Sequence, residues 1–171
     1  MVKRIYVEKR SRYASEAHSV MNDLNSQLGL SIKSLRIIHR YDLEGISEEA
    51  YEKGKNTILA EPMVDHLYLN EFPLHEGEKY FAIEYLPGQY DVRADSCNQC
   101  FQILTGATKS KVRCATVYVI SGVDDLTPIE HYLINPVDSR LASNELPESL
   151  EDEKVEVKPV PTMDGFNSLS E

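Results

Sequence analysis

Three cysteines and five histidines are the side chains in this sequence best suited to covalent or metal chemistry, and their spacing decides what they can do. Cys97 and Cys100 form a C-x-x-C pair beside Asp95, a candidate helix N-cap, and a helix N-terminus lowers a thiol pKa as a redox pair requires. The pair lacks the flanking Trp-Cys-Gly-Pro pattern and the strand-turn-helix approach of a thiol oxidoreductase. Cys97, Cys100, Phe101 and Leu104 also share one helix face, where cysteine serves as a small hydrophobe. A structural zinc site needs four ligands, and Cys114 has neither a second pair nor a histidine close by. His18, His39, His66, His75 and His131 are scattered, with no HExxH-type spacing. A glutaminase-type nucleophile sits on a glycine-flanked elbow, which none of Ser96-Cys97-Asn98, Gln99-Cys100-Phe101 or Arg113-Cys114-Ala115 provides. Neither a G-x-x-x-x-G-K-[ST] phosphate loop nor a G-x-G-x-x-G turn occurs. No catalytic, cofactor-binding or metal-ligating residue is therefore assigned.

One constellation stands apart. Tyr85-Leu86-Pro87-Gly88-Gln89-Tyr90-Asp91-Val92-Arg93-Ala94-Asp95-Ser96 combines turn residues, an aromatic and alternating charges. Such a segment suits docking of a partner surface, with Arg93 as a bidentate donor to a carboxylate or phosphate. It equally suits a strand-to-helix connection whose charges cap the helix.

The elements that would carry these residues follow from periodicity. Ile5 and Val7 alternate against Arg4, Tyr6 and Glu8, which predicts a half-buried strand. Ala17, Val20, Met21, Leu24 and Leu28 have the spacing of one helix face, and Gly29 suits a left-handed cap. A second strand runs from Leu35 to about Tyr41. Ser47 then reads as an N-cap with Glu48 and Glu49 in the first turn, and this helix stops near Ala60 because Pro62 follows. Leu67 and Leu69 mark a third strand. The order then restarts. Phe81, Ile83 and Tyr85 alternate as a strand, a helix capped by Asp95 runs to Gly106, and Val112 to Ile120 is rich in β-branched residues. Thr127-Pro128-Ile129-Glu130 reads as a capping box opening a helix that ends before Pro136.

The halves also match residue by residue. Leu28-Gly29 with Lys33-Ser34 precedes Leu104 with Lys109-Ser110 by 76 positions, and Leu59-Ala60-Glu61-Pro62 precedes Leu133-Ile134-Asn135-Pro136 by 74 (59 to 133). The expectation is a duplicated unit of about 75 residues, a β-α-β-α-β module used twice. One such module has too little core to stand alone, so two copies sharing an antiparallel sheet, with helices on one face, form one pseudo-dimeric α+β domain. The expected boundaries are residues 1–72, 79–143 and an acidic linker over 144–171, with a short strand at Val155 to Val157.

The net charge is −10, with eight Lys/Arg against three Asp/Glu in residues 1–40 and two against eight in residues 144–171. An acidic chain without a clustered cationic face argues against nucleic-acid binding. No apolar run approaches the ~20 residues of a membrane span, and no signal peptide is visible. Three cysteines make no disulfide framework, so the expectation is a reduced, cytoplasmic protein.

The segment from Phe81 to Ser96 resembles the N-terminal domain of the long-chain (fused) bacterial phosphoribosylformylglycinamidine synthases. So do Val2-Lys3-Arg4-Ile5-Tyr6-Val7-Glu8-Lys9, Arg40-Tyr41-Asp42-Leu43-Glu44-Gly45-Ile46 and Tyr132-Leu133-Ile134-Asn135-Pro136-Val137-Asp138-Ser139-Arg140. The chain departs from that pattern at Val92, where the family has Gln, and at Cys97, where it has Ala. The resemblance implies a PurS-like pseudo-dimer serving as a scaffold in purine biosynthesis. The whole enzyme is an ATP-dependent, glutamine-coupled carbon–nitrogen ligase, making the amidine from formylglycinamide ribonucleotide. ATP, magnesium and the glutaminase nucleophile belong to later domains, and the fragment alone is expected to be non-catalytic. Its expected partners are the synthetase and glutaminase domains of the same polypeptide, whose ammonia path it helps to shape, and self-association of the isolated chain. The candidate interdomain docking residues are Pro87, Gly88, Tyr90, Asp91 and Arg93, with Asn135 and Arg140 from the last resembling segment. A free-standing regulatory module binding a small molecule between the repeats is the alternative.

Overall fold

Alternation in the strands and 3.6-residue periodicity in the helices build an α+β fold, described by a computed structural model over residues 1–106 and 110–151. The elements are β1 Val2–Lys9, α1 Ser15–Leu28, β2 Ser34–Glu44, α2 Glu48–Gly54, β3 Asp65–Leu69, β4 Glu78–Tyr85, α3 Val92–Thr105, β5 Lys111–Ser121, α4 Thr127–Leu133 and β6 Ser139–Leu141. All pairings are antiparallel, in the order β3-β1-β2-β5-β4-β6. The central β2–β5 ladder runs from Ser34 opposite Ser121 to Glu44 opposite Lys111, with His39 opposite Thr116 at its middle.

One sheet face carries the helices. Ile5, Val7, Tyr41 and Leu43 pack with Tyr51 of α2 and with Ala94, Cys97 and Phe101 of α3. Leu35, Ile37, Phe81 and Ile120 pack with Ala17 and Leu24 of α1 and Ile129 of α4. Each cluster thus joins a helix from before residue 70 to one from after it. α2 and α3 approach closely at Gly54, where a Cβ would come within 2.8 Å of Phe101 Cζ and 3.2 Å of Ile58 Cδ1. Phe101 is 1% exposed and has no room to retreat. Gly54→Ala is expected to lower stability by about 1–3 kcal/mol, the usual cost of overpacking, as read by urea unfolding.

The opposite face was expected to meet solvent through Arg4, Tyr6 and Glu8, but Arg4 and Tyr6 are buried. The reason is cover from two irregular segments. Residues 70–77 lay Phe72 against Tyr6 and Tyr80, with ring centroids 4.9 and 5.3 Å apart. Residues 142–151 cross the other end, where Ala142 N–H donates to Ala82 O (2.8 Å) and Leu150 N–H to Glu44 Oε2 (2.8 Å). The start of the expected acidic linker is therefore packed on the sheet. Its continuation, the strand expected at 155–157 and Lys109 lie outside the described residues.

Beneath residues 142–151 lies a buried charge network. Arg4 grips Asp42 with two bonds, Nε to Oδ1 (2.7 Å) and Nη2 to Oδ2 (2.8 Å), and both side chains are under 5% exposed. Arg4 also donates to Asn144 O and Glu145 O, and Arg40 donates to Ser143 O at 2.7 Å. Arg40 Nη2 lies 3.8 Å from Glu84, which takes two bonds from Arg140. Removing one partner of such a pair strands a buried charge. Asp42→Ala is expected to cost about 3–5 kcal/mol in urea unfolding, and an Arg4→Met, Asp42→Leu double variant markedly less.

Three further expectations are corrected. The helix after Tyr90 is capped by Asp91, whose Oδ1 accepts Ala94 N–H at 3.0 Å, and not by Asp95. Asp95 sits one turn in, accepting from Tyr90 and Gln99. Thr127 forms no capping box; Asp125 accepts Thr127 N–H at 3.0 Å, and Pro128 still opens α4. Cys100 and Leu104 turn outward, since α3 buries only the narrower stripe of Ala94, Cys97 and Phe101. Gly29 and Gly106 end α1 and α3 in the left-handed conformation, and Ser47 caps α2, as the sequence predicts.

Candidate functional site

The docking residues separate into three groups. Leu86 to Gln89 form a turn closed by Gln89 N–H to Leu86 O (3.0 Å), and Gly88 takes φ 88°, a value that strains a residue with a Cβ. This turn is anchored to the one before β6, through Leu86 N–H to Asp138 O at 2.8 Å. Tyr90 (68% exposed), Val92 (63%) and Val137 (75%) stand out beside it as exposed apolar side chains. Pro87, Gly88 and Tyr90 are thus surface residues, as docking requires.

Asp91 and Asn135 are structural. Asp91 caps α3. Asn135 orders its own turn, with Oδ1 accepting Val137 N–H and Nδ2 donating to Asp138. Arg140 is held by Glu84 on the helix-free face and lines a groove of about 490 Å³ with Arg4, Arg40 and Arg113.

Arg93 is an exposed residue, although its guanidinium lies near the Tyr41 hydroxyl. It occupies the first turn of α3 and reaches toward the sheet, where Nη1 lies 3.5 Å from Tyr41 Oη. There it lines a cleft of about 650 Å³ on the helix face, bounded by α3, the end of α4, and β4 and β5. A second cleft of about 550 Å³ lies outside α3 under the 86–90 turn, with Asn98 and Arg113 on its walls.

Two thiols and one imidazole nearby are held neutral. Burial pushes the Cys97 thiol up to about 12 and the Cys114 thiol well above its ordinary value, so neither supplies a thiolate near neutrality. Burial, then the charges of Arg93 and Lys9, pull His39 down to about 4. Among the described residues its Nδ1 has no hydrogen-bond partner. Among the described residues no group of three or more His, Cys, Asp or Glu is placed to hold a metal ion. No helix there is long and apolar enough to cross a membrane.

Sequence reasoning missed the buried Arg4–Asp42–Arg40 network and the hydroxyls lining the Arg93 cleft. The first left a signal, because Arg4 and Asp42 fall directly opposite one another once β1 and β2 are aligned in antiparallel register. No protein family model and no curated protein matches this chain.

Because His39 binds its proton more weakly folded than unfolded, lowering the pH favours the unfolded state. Stability should be unaffected above about pH 6.5 and fall by roughly 3 kcal/mol down to pH 4 through this group. Urea unfolding between those values should show that slope in the parent and lose it in His39→Gln.

Proposed function

We propose that this chain is a scaffold domain, the duplicated PurS-like N-terminal part of a fused phosphoribosylformylglycinamidine synthase. The observation that carries the reading is the correspondence between its halves. α1 and α3 are each 14 residues long and begin 77 positions apart, at 15 and 92. β2 and β5 are each 11 residues and begin at 34 and 111, the same offset, while β1 and β4 are each 8. The sheet order is the same from either end once β1, β2 and β3 are exchanged for β4, β5 and β6. The turns before β3 and β6 share a pair of bonds. Glu61 N–H donates to Asp65 Oδ2 and Asp65 N–H to Glu61 O; Asn135 N–H donates to Ser139 Oγ and Ser139 N–H to Asn135 O.

In this reading α1 packs with α4, and α2 with α3, because each half lends a helix to the other, as subunits of a dimer do. The exposed turn with Tyr90, Val92 and Val137 then meets the synthetase and glutaminase domains, and residues 142–151 lead the chain toward them. The absence of a catalytic motif in the sequence accords with a scaffold whose ATP, magnesium and glutamine chemistry lies elsewhere in the polypeptide.

The encoding frame decides the fused reading. Read past codon 171, it should continue into a synthetase domain; a stop codon there overturns the proposal. The purified chain should release no ammonia from glutamine, and sustained turnover would contradict a scaffold role.

A further inference from the structure

The helix-face cleft holds hydrogen-bond donors that the fold itself does not use. Arg93 makes no ion pair with a carboxylate among the described residues, and its one bond, to the Tyr41 hydroxyl, is at the 3.5 Å limit. Ser96 lies one turn further along the same face of α3. Thr116 and Tyr118 project from alternate positions of β5 into the same space. Among the described residues, none of these three hydroxyls has a hydrogen-bond partner. Three acids also line the cleft wall, Glu84, Asp91 and Asp138, and each is engaged elsewhere, Glu84 with Arg140 (2.9 Å). Asp91 accepts from Ala94 N–H at 3.0 Å, and Asp138 from Asn135 Nδ2 at 3.1 Å.

Three hydroxyls beside one guanidinium supply hydrogen-bond donors suited to the oxygens of an anion. Arg93 offers a planar fork that matches two oxygens of a carboxylate or phosphate. The cleft volume of about 650 Å³ suits a small organic molecule and is far more than a single ion fills. The floor, with Ile83 and Tyr118 stacked near Phe81, supplies an apolar surface for the remainder of a ligand.

We infer that the cleft between α3 and α4 is a binding site for a small organic anion, held through its carboxylate or phosphate by Arg93 and the hydroxyls of Ser96, Thr116 and Tyr118. Val92 lies on the rim of this cleft as well as in the exposed docking set, so ligand binding and domain docking would share an edge. Occupation would tie the first turn of α3 to β5.

Thermal unfolding of the full chain, followed by circular dichroism near neutral pH, tests this. Parallel samples hold inorganic phosphate, succinate or sodium chloride at matched ionic strength. For a Kd of about 1 mM, about 10 mM of a binding anion should raise Tm by roughly 4 °C over chloride, because it stabilises only the folded state. A rise with phosphate alone assigns the site to phosphate esters, with succinate alone to carboxylates, and with both to the shared chemistry. Arg93→Gln should abolish the rise and Arg93→Lys leave a reduced one. Tyr118→Phe, which keeps the ring and removes only the hydroxyl, should weaken it and serves as the readout if Arg93→Gln does not fold. No rise over chloride with either anion overturns the inference, as does a rise undiminished in both Arg93→Gln and Tyr118→Phe.

Discussion

The two-bond grip of Arg4 on Asp42 is the constraint around which the helix-free face is arranged. A buried ion pair is tolerable only when its remaining donors are also met, since unmet desolvation outweighs the attraction. The carbonyls of Asn144 and Glu145 meet those of Arg4, and Ser143 O meets one from Arg40. Main-chain atoms of an otherwise irregular segment thereby become part of the core. Arg40 Nη2 lies 3.8 Å from Glu84, through which the network extends to Arg140.

The other face depends on apolar packing, and its organisation differs in kind. Each helix pair draws one member from either side of residue 70, so neither stretch of sequence owns a complete core. Pairing helices across residue 70 gives one larger hydrophobic unit. It demands precision where α2 and α3 meet, at Gly54 against Phe101. Between the pairs the sheet is left less covered, over His39 and Thr116, and the donor-lined cleft lies beside that gap.

Much of this was legible in the sequence. The order and type of the elements follow from Ile5–Val7, Phe81–Ile83 and the Ala17–Leu28 stripe, because period-2 and period-3.6 patterns report a buried face directly. The cap at Ser47 and the left-handed turns at Gly29 and Gly106 were equally readable, since they depend on local chemistry alone. The burial of Arg4 and Tyr6 was not. Alternation tells which residues share a face, and it says nothing of a loop 140 positions away that covers it. Asp91 and Asp95 were confused for a similar reason: both precede an apolar stripe, and only the backbone shows which carboxylate meets Ala94 N–H. Arg93 was singled out as a donor, but its approach to Tyr41 and its neighbours on β5 arise from tertiary packing.

The crossing of residues 142–151 over the sheet has a mechanical consequence. Tension applied through residue 151 would fall first on Leu150 N–H to Glu44 and on Lys111–Glu151, and next on the carbonyls held by Arg4 and Arg40. These contacts would open one after another, like a row of stitches. The long β2–β5 ladder would bear load only after them. Under such a load the segment would yield in steps before the sheet does.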